Sequence, residues 1–157
     1  MVALFQALAS FGQIRYEDIK IDTTITGFHF AADMMGVRVY TPHGEADLNA
    51  ELGSAFSFKL LQNTTFESAS DYINRLIEAS KSNGFLVSGV VKKDTSIRGN
   101  KAMTVTYFET KKSENYENQV FYAIVMKGTT AFVFLSGDLN NGKYIESFKK
   151  TFYAIRI

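Results

Sequence analysis

Residues 119–136, QVFYAIVMKGTTAFVFLS, decide the fold of this chain. They predict two strands joined at Lys127-Gly128-Thr129, and strands linked by so short a turn are antiparallel. Side chains alternate between the two faces of a sheet, and here both alternating sets are apolar. In the first strand these sets are Val120, Tyr122, Ile124 and Met126 on one face and Phe121, Ala123 and Val125 on the other. Both faces of the sheet must therefore be covered.

Two amphipathic segments can supply those covers. The first begins at a capping box formed by Thr64 and Glu67, continues as an apolar stripe at helical spacing, and ends at Asn83-Gly84, a left-handed stop. The second begins near Lys143, and its narrow apolar stripe consists of Ile145, Phe148, Phe152 and Ile155. We therefore predict an α+β domain with a central antiparallel β-sheet and helices packed on both faces, a three-layer α/β/α sandwich.

The rest of the chain predicts further strands and turns around that centre. The predicted strands cover residues 14–22, 24–31, 37–40, 54–61, 85–91 and 101–110. Residues 111–118, KKSENYEN, predict a charged and exposed hairpin loop. Residues 138–142 predict a turn that leads into the second helix, with an asparagine as its N-cap.

Composition excludes several classes of function. The chain has 157 residues, of which 46% are hydrophobic and 21% are charged, and this suits one soluble globular domain. It has no cysteine, so disulfides, thiolate zinc sites and cysteine nucleophiles are excluded. Its net charge of +1 argues against nucleic acid as a partner. No apolar run approaches the ~20 residues that a transmembrane helix needs.

The first residues allow two interpretations. Residues 1–12, MVALFQALASFG, contain a short apolar run and the small-x-small triplet Ala7-Leu8-Ala9, which resemble the end of a secretory signal peptide. The alternative is an N-terminal amphipathic helix. Residues 13–157 then form a single α+β domain. The first interpretation predicts an exported or periplasmic protein, and the second predicts a cytoplasmic one.

From Ser54 to Ile157, the order of the segments resembles the PsbP-like fold. The helix SDYINRLIEASKSNGF precedes a strand, then IRGNKAMTVTYFE, a charged hairpin, QVFYAIVMKGTTAFVFLSGD and a final YIESFKKTFYAI. Gly99, the Lys127-Gly128 turn, and Phe148 with Phe152 carry this resemblance. Proteins of this fold include an extrinsic photosystem protein, a Ran-binding import factor and many bacterial exported proteins. The resemblance implies a non-catalytic binding or assembly module, and no binding residue of the family carries over.

Catalysis is not indicated by any motif. The sequence has no nucleophile elbow, P-loop or dinucleotide fingerprint, so we predict no catalytic residue, no cofactor-binding residue and no cofactor. His43, Glu45 and Asp47 alternate after Pro42 and are weak candidates for a divalent-metal site, with a plain polar loop as the alternative. His29, between Phe28 and Phe30, is interpreted as a structural histidine.

The charged hairpin is the predicted contact element for a protein partner, because binding residues concentrate on loops that a rigid scaffold holds. Its candidate partner-binding residues are Lys111, Lys112, Glu114, Tyr116 and Glu117. The predicted function is a non-catalytic, exported binding or assembly module, whose partner and oligomeric state the sequence leaves open. The alternative is a carrier of a small apolar ligand between sheet and helix, since 14 Phe and 8 Tyr exceed what sheet packing requires. A metal-dependent enzyme is the third possibility.

Overall fold

Seven antiparallel strands form one sheet in this computed structural model, which describes residues 14–44 and 53–157. The strands are β1 (His29–Met34), β2 (Val37–Thr41), β3 (Ala55–Leu61), β4 (Leu86–Ile97), β5 (Asn100–Lys111), β6 (Tyr116–Lys127) and β7 (Thr130–Asp138). Their order in the sheet is β1-β2-β3-β7-β6-β5-β4. The helices are α1 (Phe66–Ser82) and α2 (Ile145–Ala154). The predicted α+β fold with a central antiparallel sheet is confirmed.

The stretch 119–136 forms the centre of that sheet, as predicted. Lys127 pairs with Thr130 across a two-residue turn, and Gly128 adopts the left-handed φ of +60° that such a turn requires. The alternating sets of β6 enter two separate apolar clusters. Phe121, Ala123 and Val125 belong to one cluster, and Val120 and Ile124 belong to the other. Both faces at the sheet centre are therefore buried.

Helix α1 covers the face that carries Val120 and Ile124. Its buried residues Ala69, Ile73 and Ile77 join the same cluster. Its C-terminal stop at Asn83-Gly84 is confirmed, because Gly84 has a φ of +84° and Phe85 N–H donates to the Ser80 carbonyl over 3.1 Å.

The N-cap predicted for α1 lies one residue before the observed one. Thr65, and not Thr64, caps the helix: its Oγ1 accepts a hydrogen bond from Ser68 N–H over 3.2 Å. The backbone N–H of Thr64 instead donates to the Thr129 carbonyl over 2.8 Å. That bond ties Thr64 to the β6–β7 turn, so the helix begins after the next threonine.

Helix α2 packs on the face that carries Phe121 and Ala123. Its predicted stripe is confirmed, because Ile145, Phe148, Phe152 and the following Ile155 are all at most 1% exposed. The predicted asparagine N-cap is wrong, since the N-cap is Tyr144 without a side-chain cap. The buried Asp138 carboxylate accepts the Tyr144 N–H over 2.5 Å, so a side chain from the end of β7 anchors the start of this helix.

Three predicted strands have different bounds. Residues 14–22 form no strand but a 3₁₀ turn at Tyr16–Asp18, followed by one isolated bridge between Lys20 and Arg156. The strand predicted over 24–31 begins only at His29, after a second 3₁₀ turn at Thr23–Ile25. The strand predicted over 85–91 continues through its lysines to Ile97, because β4 lies at the sheet edge and charged side chains there reach solvent.

Among the described residues, neither helix is long and apolar enough to span a membrane. Residues 1–12, on which the choice between a leader and an N-terminal helix depends, lie outside the described residues. Export therefore stays a prediction.

Candidate functional site

The predicted contact hairpin is tighter than the sequence indicated. Strand β5 ends at Lys111 and β6 already begins at Tyr116, with a 3₁₀ turn at Lys112–Glu114 and Asn115 at a φ of +51° between them. Lys111 Nζ lies 2.5 Å from Glu114 Oε1, so these two charges neutralise each other. Only the tip of the predicted loop is therefore irregular.

Tyr116 does not lie in an exposed loop. It is half-buried in strand β6, and its ring centroid lies 5.0 Å from that of Phe85, which immediately precedes β4. The ammonium group of Lys111 lies 5.4 Å from the same Phe85 ring. Lys112, Glu114 and Glu117 are exposed and therefore accessible to a partner.

Next to the hairpin, strand pairing aligns four residues in one row across the sheet. Ser88 pairs with Phe108, Phe108 with Gln119, and Gln119 with Asp138. Gln119 alternates with Phe121 along β6, so this row lies on the face that α2 covers further along the strands. The row therefore crosses four strands on the α2 side of the sheet.

Helix α2 does not extend over this row. Strands β5 and β6 have 12 residues each and span about 40 Å, whereas the 10 residues of α2 span about 15 Å. The helix packs over β6 and β7. Phe108 is consequently 47% exposed, although it lies on the same face as the fully buried Phe121. We call this uncovered part of the α2 side of the sheet the open face. It consists of the row from Ser88 through Phe108 and Gln119 to Asp138, together with Leu86.

Two adjoining cavities follow the open face and the hairpin. The first, of about 340 Å³, is lined in part by Phe108, Thr110 and Gln119, and the second, of about 330 Å³, by Tyr116 and Leu139. Glu117 and Asn141 line both cavities, so the two form one groove. Of the five residues assigned to partner binding from the sequence, Glu114, Tyr116 and Glu117 thus border a concave surface.

The lining of this groove is acidic. Among the described residues, its lining includes the carboxylates Glu114, Glu117 and Asp138 and no lysine, arginine or histidine. The backbone of Glu109 borders the groove, but its carboxylate lies on the α1 side of the sheet, where it meets Ser80. Glu117 forms no ion pair with the described part of the chain. Only Glu114 has a cationic partner, which is Lys111.

The two buried carboxylates are held by neutral donors. Asp138, 1% exposed, accepts hydrogen bonds from Ser54 Oγ over 2.5 Å and from Asn140 N–H over 2.8 Å, besides that of Tyr144. Glu109, 7% exposed, accepts from three uncharged side chains. These are Ser80 at 2.5 Å, Tyr107 at 3.2 Å and Asn118 at 3.2 Å. Neutral donors satisfy the oxygens but supply no compensating charge.

Tyrosines surround Glu109 on the α1 side of the sheet. Burial raises the pKa of Tyr107 and raises the pKa of Tyr122 to about 12. Burial, and then the nearby charge of Glu109, also raise the pKa of Tyr116. These phenols therefore stay neutral near pH 7 and act as packed hydrogen-bonding groups.

The loop after β7 closes one side of the groove. Gly142 has a φ of +76°, and a Cβ at this position would collide with the Gln119 side-chain amide. Glycine therefore lets the loop approach the sheet closely at this point.

An apolar strip extends the open face to the sheet edge. Leu86 pairs with Thr110 and Val91 pairs with Thr106, so both share the face of Phe108. Leu86 is 62% exposed and Val91 is 60% exposed. Three large apolar side chains thus lie uncovered beside an acidic groove.

The metal candidates are not assembled within the described residues. His43 is described, but Glu45 and Asp47 lie outside the described residues, so this site stays a prediction. No group of three or more His, Asp or Glu suited to a metal ion occurs in residues 14–44 and 53–157. His29 is exposed in β1, next to the buried Phe28 and the half-exposed Phe30.

Sequence reasoning missed Phe108 and Asp138 as parts of the site. A signal for Phe108 was available: the residues on its face of β5, Ala102, Thr104 and Thr106, are small or polar, and a phenylalanine interrupts that series. Asp138 carried no such signal, because its role depends on Ser54 and Tyr144, which are distant in sequence.

Comparisons with known proteins were made by sequence and by structure. No protein-family model matches the chain, and a search of curated proteins by sequence finds no match. Among solved structures, the solution structure of cyanobacterial PsbP (CyanoP) from Synechocystis sp. PCC 6803 matches with a TM-score of 0.54 and 13% identity. That match covers 96% of this chain and 98% of CyanoP.

Two further structures match less well. The Ran-binding protein Mog1p of Saccharomyces cerevisiae has a TM-score of 0.46 and 12% identity, covering 81% of this chain and 79% of Mog1p. A protein of unknown function from Pseudomonas aeruginosa, PA94, has a TM-score of 0.46 and 13% identity, covering 64% of this chain and 70% of its own. At 13% identity the CyanoP match informs on fold alone. The chain has the PsbP-like fold, as the order of its segments predicted.

Proposed function

We propose that this protein is a non-catalytic binding module that docks a protein partner on the open face and its groove. The observation that carries the proposal is Phe108, a large aromatic side chain that is 47% exposed although it lies within a regular, paired strand. Exposed apolar surface rimmed by polar groups is typical of interaction sites. The proposal includes the three-layer arrangement of helices and sheet, which the two separate apolar clusters support.

The charged hairpin belongs to the same surface. Glu114, Tyr116 and Glu117 line the groove, and Lys111 and Lys112 directly precede them in the chain. A partner on the open face therefore meets the hairpin residues assigned from the sequence. In this proposal the hairpin forms the rim of the interface and Phe108 lies at its centre, as expected where aromatic anchors dominate binding.

A carrier of a small apolar ligand is supported less well. Such a ligand needs space between a helix and the sheet. Phe148 and Phe152 of α2 and Ile73 of α1 are fully buried there and occupy that space. The 340 Å³ cavity lies instead on the open face, and six of its ten lining residues are charged or amide-bearing. A protein surface suits that mixture better.

Affinity capture from the cells that produce the protein tests the proposal. The double variant Phe108→Ser, Glu117→Lys alters the open face, and Glu78→Lys on the exposed side of α1 is the control on the opposite face. We expect the control to retain the partners that the wild type captures and the double variant to lose them. Equal recovery with both variants would contradict the proposal. Circular dichroism and thermal melting confirm that each variant is folded.

A further inference from the structure

We propose that the segment bound on the open face carries a lysine or arginine side chain next to apolar side chains. This inference rests on the proposed function and adds the chemistry of the partner. It follows from two different properties of the same surface, an apolar strip and an acidic groove that share Phe108.

The strip selects apolar side chains. Leu86, Val91 and Phe108 lie on one face. On β5, the partners of Leu86 and Val91 are the short Thr110 and Thr106, and on β4 the partner of Phe108 is the short Ser88. Short neighbours leave the three large side chains standing above the sheet. Burying such side chains against a partner is favourable at about 25 cal/mol per Å² of apolar area.

The groove selects positive charge. Three carboxylates, those of Glu114, Glu117 and Asp138, line it without any basic residue in its described lining, and Glu117 has no ion-pair partner in the described ranges. Asp138 is satisfied by uncharged donors, so no basic side chain neutralises its charge. The Phe108 ring at the edge of the groove adds a surface on which a cation is stabilised.

The edge of the sheet next to the open face is poorly suited to pairing with a second copy of this chain. The free edge of β4 carries Lys92 and Lys93, and an antiparallel pair of β4 edges centred there would place like charges opposite one another. A bulge between Ser88 and Val91, with Gly89 at a φ of +63°, also interrupts the edge. Lysines and bulges of this kind prevent edge-to-edge pairing. Two copies therefore do not pair through this edge, and the proposal takes a segment of a different chain as the occupant.

A random dodecapeptide library displayed on phage provides the test. We expect peptides selected on the wild-type protein to be enriched in lysine or arginine beside leucine, isoleucine, valine or aromatic residues. Binding of the synthetic peptide should shift the backbone amide NMR signals of Phe108, Glu117 and Gln119. Dissociation constants are then measured for wild type, Glu117→Gln, Glu117→Lys and the control Glu78→Lys.

The charge series gives graded expectations. Glu117→Lys replaces an attraction by a repulsion, and we expect the dissociation constant to rise about tenfold. Glu117→Gln should raise it about threefold, and Glu78→Lys should change it less than about twofold. Enrichment of acidic or uncharged peptides, an unchanged dissociation constant in Glu117→Lys, or no enrichment at all would overturn the inference.

The outcomes separate the inference from the proposed function. If uncharged peptides shift the NMR signal of Phe108, the open face is still a binding surface, but the inference that its partner carries a positive charge is refuted. Basic peptides that shift only residues of α1 would refute the open face itself, and the inference with it.

Discussion

Two phenylalanines on one face of the sheet allow a direct test of where α2 ends. Phe134 of β7 is fully buried, with its ring centroid 5.3 Å from that of Phe56 and 5.9 Å from that of Phe152 in α2. Phe108 of β5 points to the same side but is 47% exposed. Replacing each by alanine removes the same atoms from two different surroundings.

The expected costs differ severalfold. Phe134→Ala removes a buried ring and leaves a cavity among aromatic neighbours, so the free energy of unfolding should fall by about 3–5 kcal/mol. For Phe108, roughly half of the ring already contacts water. Because full burial of such a side chain is worth about 1.5–3 kcal/mol and no closed cavity forms, we expect Phe108→Ala to cost about 1 kcal/mol.

Urea unfolding followed by circular dichroism measures both values, with the m-value as a check that the two-state description holds. A loss for Phe108→Ala as large as that for Phe134→Ala would refute the reasoning, because it would mean that Phe108 is covered.

Three further predictions concern stability. Burial raises the pKa of Tyr122 to about 12 from an ordinary 10.0, so with rising pH the unfolded chain loses this proton first. The resulting contribution to the free energy of unfolding is complete below pH 10 and is lost as the pH rises to 12, by up to about 1.4 kcal/mol per pH unit. Tyr122→Phe should make alkaline melting temperatures fall less steeply with pH. Met35 is 98% exposed at a φ of +51°, so Met35→Gly should raise the free energy of unfolding by about 0.5–1 kcal/mol and the melting temperature by a few degrees; a lower melting temperature would contradict this. Thr65→Ala should lower the free energy of unfolding by about 1 kcal/mol and Thr64→Ala should lower it much less. The reverse order in urea titrations would show that Thr64 is the N-cap.

The sheet centre and the helix stripes were predictable because their signals are periodic. Phe121, Ala123 and Val125 repeat every second residue, whereas Ile145, Phe148 and Phe152 repeat at three and four. Burial on both faces of β6 followed from that alternation alone, and so did the need for covering helices.

Other features depend on contacts between distant residues, which no local pattern reveals. The capping-box spacing to Glu67 favours Thr64, but the bond from Thr64 N–H to the Thr129 carbonyl excludes it and leaves Thr65 as the cap. Residues 14–22 alternate loosely like a strand, yet only Lys20 finds a pairing partner, Arg156 near the end of the chain.

The candidate site was predictable in part. Charge and turn composition located the hairpin, and the structure places Glu114, Tyr116 and Glu117 along a groove. The open face depends on the length and position of α2 relative to β5, and these are tertiary properties. The exposure of Phe108 therefore could not be predicted from the sequence of β5.

The central claim is that a partner contacts the open face, and site-specific photo-cross-linking tests it most directly. A photoreactive phenylalanine at position 108 keeps an aromatic ring in place, and the same residue at Arg75, exposed on α1, is the control. After irradiation in the cells that produce the protein, the account predicts a discrete covalent adduct from position 108 and none from position 75. Adducts from position 75 alone, or equal labelling at both positions, would contradict it.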